Sequence, residues 1–330
     1  MNNIKIYFPR WLFPQNLGDS LIFTFVPDLL KKINPNSQIE VISYGFVNDI
    51  LKRNPNVNIS REPRSSELYL DYVSYAFSET KHKDIHVIYP DWHPRTFSFW
   101  KENHKFLADH SSINIITLNY LLQLGLENTI FSDFDFFPRA NIPITSKKDD
   151  FINIGIVPAT KLSGKQTPHT NCDGIGFRFN GPNGLDSWSK FVKRLKAQNK
   201  KIKIYEFSKE NFNLGDEHCK DTGDIFSLIK NIDNIDLGIM SDGGVHHAFN
   251  LRKKPIVLFQ AGILCKVEFL KLGNAFYPEH LHLKCRKQCP SFFTEVFQGV
   301  DLSKTCKKEC ESLSPELLAD YTIEKIKLLK

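Results

Sequence analysis

The chain has 330 residues, of which 41% are hydrophobic and 24% charged, with a net charge of +6. That length suffices for two domains with separate cores, and the composition is that of an ordinary soluble protein. No apolar run of about 18 residues is present, so no transmembrane helix is expected. The mild positive charge suits an anionic ligand or a membrane surface without marking a nucleic-acid binder.

The opening residues, Met-Asn-Asn-Ile-Lys-Ile-Tyr-Phe-Pro-Arg, lack the hydrophobic region of a signal peptide. The odd count of seven cysteines disfavours a fully disulfide-paired secreted protein, so a cytosolic protein is expected. Ile4 to Phe8 reads as a strand, followed by a loop carrying Pro14, Asn16 and Gly18. From Asp19 the apolar positions Leu21, Ile22, Phe25, Val26, Leu29, Leu30 and Ile33 recur at helical spacing, and Pro27 inside them predicts a kink with a freed carbonyl near Phe23. Ile39 to Ser43 reads as the next strand, Val47 to Lys52 as a helix, and His86 to Tyr89 and Ile113 to Thr117 as further short apolar runs. A linker is expected over residues 138–150, after which the pattern restarts. Strands over residues 151–157, 202–207 and 237–240 alternate with helices over 185–197 and 225–230, the first buried along Trp188, Phe191, Val192 and Leu195. Ser314 followed by Pro315 predicts a capped helix over residues 315–329. Strands alternating with helices argue for parallel sheets covered on both faces, in two α/β domains with a cleft between them.

The densest chemical signal is Ser241-Asp242-Gly243-Gly244-Val245-His246-His247-Ala248-Phe249, lying between an apolar run and the run Pro255 to Phe259. The order reads strand end, glycine turn, short helix, next strand. Such a turn directs bare backbone N–H groups and a helix N-terminus at one point, which suits a phosphate. Asn16-Leu17-Gly18-Asp19 closes the first strand–loop unit; Asp19 is either the cap of the helix that starts there or a carboxylate that takes a proton from an acceptor hydroxyl. Thr160, Lys161, Ser163, Gly164 and Lys165 follow the first strand of the second domain, as a phosphate loop or as a solvated polar loop. Asp133-Phe134-Asp135 could hold a divalent cation against a diphosphate or be an acidic turn. Cys285, Cys289, Cys306 and Cys310 form two pairs, either four thiolates for a structural zinc or iron or reduced free cysteines. Lys190, Lys193, Arg194, Lys196, Lys200, Lys201 and Lys203 form a run without an acidic residue, either the solvated side of a helix or an attraction to an anionic leaflet.

These motifs fall in an order that resembles the heptosyltransferase family of GT-B glycosyltransferases. Asn16 to Leu21 looks like that family's Gly-Asp-x-Leu opening. Asp242 to Ala248 is similar to its Asp-(Ser/Thr)-Gly-x-x-His-(Leu)-Ala signature, and Lys254 to Phe259 to its Lys-Pro-Val-Val-x-Leu-Phe strand. Thr160 through Pro168 resembles the phosphate loop, which aligns Lys165 and Pro168, and Asp221 to Ile229 looks like the family's Leu-x-Gly-x-(Thr/Ser)-Ser-Leu stretch. Cysteines before a final Ser-Pro-Glu helix also recur there. The sequence departs from the pattern at Gly243, where the family has Ser or Thr, at Phe249, where a small Ala is common, and over residues 171–184, which look inserted.

The resemblance implies an α/β GT-B fold: two Rossmann-like doubly wound domains facing each other across a cleft. Residues 1–145 would be the acceptor-binding domain, 146–313 the nucleotide-sugar domain, and 314–330 a terminal helix packing back on the N-terminal domain. It implies an inverting, metal-independent transferase needing no catalytic cofactor. The donor would be a nucleotide diphosphate sugar, ADP-heptose first, and the acceptor a lipid-linked or polysaccharide glycan such as lipooligosaccharide core or capsule, at the cytoplasmic face of the inner membrane. Asp19 would be the general base. Backbone N–H groups at Gly243 and Gly244, with Thr160, Lys165 and His247, would hold the diphosphate while Asp242 orders the turn; family spacing selects His247, leaving His246 to face the core. Other classes stay open: a polysaccharide pyruvyltransferase-like enzyme using phosphoenolpyruvate, a non-catalytic nucleotide-binding subunit, and a metal-dependent transferase built on Asp133 and Asp135.

Overall fold

A computed structural model of the chain describes residues 3–7, 17–22, 24–64, 85–88, 138–145, 150–158, 160–161, 175–176, 184–241, 243–259, 275–276 and 314–329. The chain divides into two compact units with the boundary between Pro143 and Ile144.

In the first unit, β1 (Asn3–Tyr7), β2 (Gln38–Ile42), β3 (Ile59–Arg61) and β4 (Ile85–Ile88) form a parallel sheet in the order β3-β2-β1-β4. Ile4, Ile6, Ile39, Val41 and Ile42 are buried, so these short strands carry the core of the unit. The strand β3 was not legible in the sequence: it is a three-residue edge whose Ile59 is 53% exposed, with no apolar period to announce it. The expected single kinked helix is instead two helices, α1 (Leu17–Ile22) and α2 (Val26–Ile33). Thr24 closes the break by donating both its backbone N–H and its hydroxyl to the Leu21 carbonyl, at 3.0 and 2.8 Å. Pro27 falls in the first turn of α2, where a missing N–H removes no intrahelical bond, so the proline starts a helix rather than bending one. The helix α3 (Gly45–Leu51) follows β2 and buries Val47, Ile50 and Leu51.

In the second unit, β5 (Ile152–Ile156), β8 (Ile202–Ser208), β9 (Glu217–Lys220), β10 (Leu237–Ser241), β11 (Ile256–Phe259) and β12 (Ala275–Phe276) build a six-stranded sheet ordered β12-β11-β10-β5-β8-β9. Every pair in it is parallel. A separate antiparallel pair, β6 (Thr160–Lys161) with β7 (Ile175–Gly176), was missed by the sequence pattern because each strand is two residues long. The helices are α4 (Gly184–Gln198), α5 (Ile225–Asp233), α6 (Gly244–Leu251) and α7 (Pro315–Lys327).

One face of this sheet is sealed by α4 and α7. Trp188, Phe191, Val192 and Leu195 form the expected stripe on α4, and Leu318, Ala319, Tyr321 and Ile326 come from α7; both meet Ile154, Ile156, Ile204, Leu237 and Ile239. Each fully buried aliphatic or aromatic side chain contributes about 1.5–3 kcal/mol to this core. The Ser314 hydroxyl accepts the Leu317 N–H at 3.3 Å and Pro315 is the first helical residue, as the sequence predicted. Within the second unit α7 packs along α4, where Arg194 meets Asp320 at 3.0 Å. The basic run on and after α4 also finds acid, on α4 itself at Asp186 and on later segments at Asp216 and Glu217. Lys190 pairs with Asp186, Lys196 with Asp216 and Lys203 with Glu217, at 2.6, 2.5 and 3.1 Å. Such exposed pairs add little stability, about 0–1 kcal/mol each, but they offset much of the local positive charge.

Candidate functional site

The second sheet reverses its strand order beside β5. From β5 the chain moves outward through β8 to β9, then returns to the other side of β5 with β10 and continues outward to β11 and β12. A reversal of this kind leaves the carboxyl ends of two neighbouring strands followed by connections that diverge to opposite faces, and ligands of open α/β sheets bind there. The two strands are β5 and β10, in the register Leu237 to Ile154, Gly238 to Gly155 and Ile239 to Ile156. Of the two predicted phosphate segments, the described residue Thr160 follows β5 in the chain, and the described residues Gly243 and Gly244 follow β10.

Local chemistry explains how α6 is held there. Phe249 is fully buried and lies against both glycines of the register pair. A Cβ on Gly238 would sit 2.7 Å from the Phe249 ring, and one on Gly155 would sit 3.1 Å from it. The two absent side chains make the saddle that accepts the ring, and Phe207 closes it edge-on, with centroids 5.6 Å apart at 73°. The departure from a small residue at position 249 is therefore compensated inside the sheet. At the other end of α6, Arg252 reaches back to the buried Asp233 carboxylate with bonds of 2.7 and 3.0 Å, and the Lys254 amine donates to the Asp233 carbonyl at 2.8 Å. Asp233 also accepts from the Thr145 N–H at 3.1 Å. Lys254 of the Lys-Pro motif is thus a tie between α5 and α6.

The N-terminus of α6 differs from those of α5 and α7. Asp224 caps α5 by accepting the N–H groups of Phe226 and Ser227 at 3.0 and 3.2 Å, and Ser314 caps α7. Gly243, extended at φ 165°, begins α6 and has no side chain to cap it, and no acidic residue stands in the first turn among the described residues. The first amides of a helix have no intrahelical acceptor and carry the positive end of its dipole, so this end is suited to an anion.

Two histidines follow on the same turn. His246 is 1% exposed, and its Nε2 accepts the Asn250 side-chain amide at 2.8 Å. His247 keeps some exposed surface, but its Nδ1, like that of His246, is buried and finds no hydrogen-bond partner among the described residues. The rings lie 4.3 Å apart with a 40° tilt. Burial pushes the His247 imidazole down to about 4, and burial followed by the neighbouring His247 holds His246 well below its ordinary range. Both rings are therefore neutral at pH 7, each with one N–H to give. Leaving a buried polar nitrogen unpaired costs about 1–3 kcal/mol, so the free protein keeps donor capacity here that its own described residues do not use.

Of the other predicted residues, Asp19 is the third residue of α1, which begins at Leu17; it is inside the first turn and not at the cap. Thr160 opens β6, opposite Gly176 of β7, and the Pro158 carbonyl, two residues earlier, accepts the Trp188 Nε1–H at 3.1 Å. Asp242, Lys165, Asp133, Asp135 and the four cysteines Cys285, Cys289, Cys306 and Cys310 lie outside the described residues. Among the described residues no group of three or more His, Cys, Asp or Glu is arranged to hold a metal ion, and no helix is long and apolar enough to cross a membrane.

The sequence reading missed Glu206. It is fully buried at the carboxyl end of β8, where it accepts the Phe212 N–H at 2.8 Å, the Leu214 N–H at 3.0 Å and the Ser208 hydroxyl at 2.6 Å. It holds an eight-residue parallel crossover from Ser208 to Glu217 that contains no helix. A lone Glu in the strand run Ile-Lys-Ile-Tyr-Glu-Phe-Ser was the available signal.

No protein-family model matches the chain, and no curated protein matches it. Solved structures do. A glycosyl transferase of family 9 from Veillonella parvula superposes with a TM-score of 0.60 at 14% identity, over 99% of this chain and 97% of that one. The iron-containing dodecameric glycosyltransferase TibC of enterotoxigenic E. coli gives 0.57 at 12% identity, over 98% and 76%. E. coli heptosyltransferase WaaC, solved with ADP-2-deoxy-2-fluoro heptose, gives 0.52 at 8% identity, over 98% and 99%. The chain has the α/β GT-B fold of these glycosyltransferases.

Proposed function

We propose that this chain is an inverting glycosyltransferase that moves a sugar from a nucleotide diphosphate donor to a glycan acceptor, with heptose from ADP-heptose as the first donor to test. The observation that carries the proposal is the bare, glycine-led N-terminus of α6 with two unpaired buried imidazole nitrogens, at the strand-order reversal of a GT-B fold. The WaaC structure with an ADP-heptose analogue and a TibC structure with ADP-D-beta-D-heptose support the choice of donor.

In this mechanism the Asp19 carboxylate takes the proton of an acceptor hydroxyl as that oxygen attacks the anomeric carbon in line. The bond to the nucleotide diphosphate breaks on the opposite face, and the sugar inverts. Negative charge grows on the departing diphosphate. The amides of Gly243 and Gly244, the Thr160 hydroxyl, the Lys165 ammonium and the His247 N–H take it up, a preorganised electrostatic stabilisation that requires no metal. Asp242 orders the turn. The acceptor is a lipid-linked or polysaccharide glycan assembled at the cytoplasmic face of the inner membrane. Cys285, Cys289, Cys306 and Cys310 would ligate a structural zinc or iron, which metal analysis of the purified protein decides.

A thermal-shift panel with ADP, GDP, UDP, CDP and phosphoenolpyruvate, each with EDTA and with Mn, tests the reading. One nucleoside diphosphate should stabilise the protein by a few degrees whether or not EDTA is present. A shift seen only with Mn would move the site to Asp133 and Asp135, and a response to phosphoenolpyruvate alone would replace the glycosyltransferase with a pyruvyltransferase. Asp19→Ala should fold normally and lose about 10²–10⁴ in turnover, the worth of a positioned base. Full turnover in that variant would leave Asp19 with only its place in the first turn of α1.

A further inference from the structure

The geometry points to His246 as a positioning residue of the anion site: anchored by Asn250, its ring is the platform that fixes the ring of His247. The inference rests on the nucleotide-diphosphate reading of that site. Neighbouring residues of a helix project about 100° apart and do not ordinarily face one another. The rings of His246 and His247 nevertheless lie 4.3 Å apart, so their contact is imposed from outside the helix.

What imposes it can be followed residue by residue. Phe249 seats α6 on the Gly155 and Gly238 saddle and fixes the helix against the sheet. Asn250, one turn beyond His246, is fully buried and donates its side-chain amide to the His246 Nε2 at 2.8 Å. That bond removes the rotational freedom of the His246 ring, which is itself only 1% exposed. His247, with some surface exposed, then rests on an immobile neighbour. A position needing only apolar bulk would be filled by Leu or Phe without leaving an unpaired buried Nδ1. The hydrogen bond to Asn250 is what an imidazole adds over those residues, and a fixed ring orientation is what the hydrogen bond supplies. For the ligand, the consequence is that His247 is already ordered before the diphosphate arrives. Ordering one side chain beforehand is worth about a three- to tenfold gain in affinity.

The test is a double-mutant cycle on the full chain, reading the affinity of the nucleoside diphosphate that gives the largest shift in the panel. H246A should weaken binding by about three- to tenfold, and should have no further effect in an H247A background, because the platform has nothing left to hold. Equal weakening in both backgrounds, or none in either, would overturn the inference. A second arm needs no ligand. By NMR the His247 ring should titrate near about 4 in the parent protein and move toward its ordinary value in H246A. The acidic and basic side chains on α5 and at the end of α6, Lys230, Asp233 and Arg252, are the same in both proteins. An unchanged His247 titration would also overturn the platform role. If no nucleotide binds the parent protein, the functional reading fails and this titration alone decides the platform. Should H246A not fold, H246L, which keeps bulk without a flat ring, carries the same comparison.

Discussion

The carboxyl ends of β8 and β10 open onto the same end of one sheet and handle their polar groups in opposite ways. After β8 the chain satisfies itself: the buried Glu206 carboxylate accepts two backbone N–H groups and a hydroxyl, and the crossover it holds is complete without any ligand. After β10 the helix begins without a cap, and two buried imidazole nitrogens have no partner among the described residues. A fold that can spend a glutamate on two amides at one strand end could cap a helix at another, as Asp224 does for α5. Polar groups left open at one strand end, where the other closes its own, are the ones the proposed anion site would use.

The comparison can be broken hardest at Phe249. Phe249→Ala removes the ring that seats α6 on the glycine saddle, and large-to-small changes of this kind cost about 3–5 kcal/mol. Calorimetry should show a Tm lower by roughly 10 °C or more, and nucleotide affinity should fall with it as α6 loses its seat. Glu206→Ala should destabilise by about 2–5 kcal/mol, because the Phe212 and Leu214 amides lose their acceptor in a buried place. At temperatures where this variant remains folded, its affinity for the nucleotide should equal that of the parent; a loss of affinity would mean the two strand ends are not independent.

Acid should act on the β10 end. The unfolded chain protonates its histidines below about 6.5, whereas the folded protein keeps His247 neutral until about 4 and His246 lower still. In that window the unfolded state binds more protons, so stability is fully present above about pH 6.5 and is lost as pH falls toward 4. Thermal melts across that range should show the fall, and H246L/H247L should flatten it. The smallest expected effect is the most specific. His247→Ala should weaken nucleoside diphosphate binding by about tenfold, one charge-assisted hydrogen bond, while leaving the Tm of the free protein within about 2 °C. A large loss of Tm would assign His247 to the core instead.

Much of the architecture was legible because periodicity reports burial. The stripe on α4, the strands of the second sheet and the Ser314-Pro315 start of α7 depend on neighbours in sequence, and the sequence carries them. The glycine turn was legible for the same reason: glycine and helix start are local signals. What escaped were features settled by distant partners. Nothing local told that Pro27 begins a helix rather than bends one, since that depended on where the chain broke at Thr24. Of the acids that answer the basic run, Asp216, Glu217 and Asp320 lie far along the chain.

The alternation of strands and helices, the glycine start of α6 and the candidate residues around it could be read from the sequence, because each is written in residues a few positions apart. Tertiary contacts were needed to show that Gly155 and Gly238 stand opposite one another to receive Phe249, that Glu206 seals one strand end, and that the two histidine rings meet at another. Those outcomes depend on strand register and close packing between elements far apart in the chain, and whether a buried polar group finds a partner is known only once those elements meet.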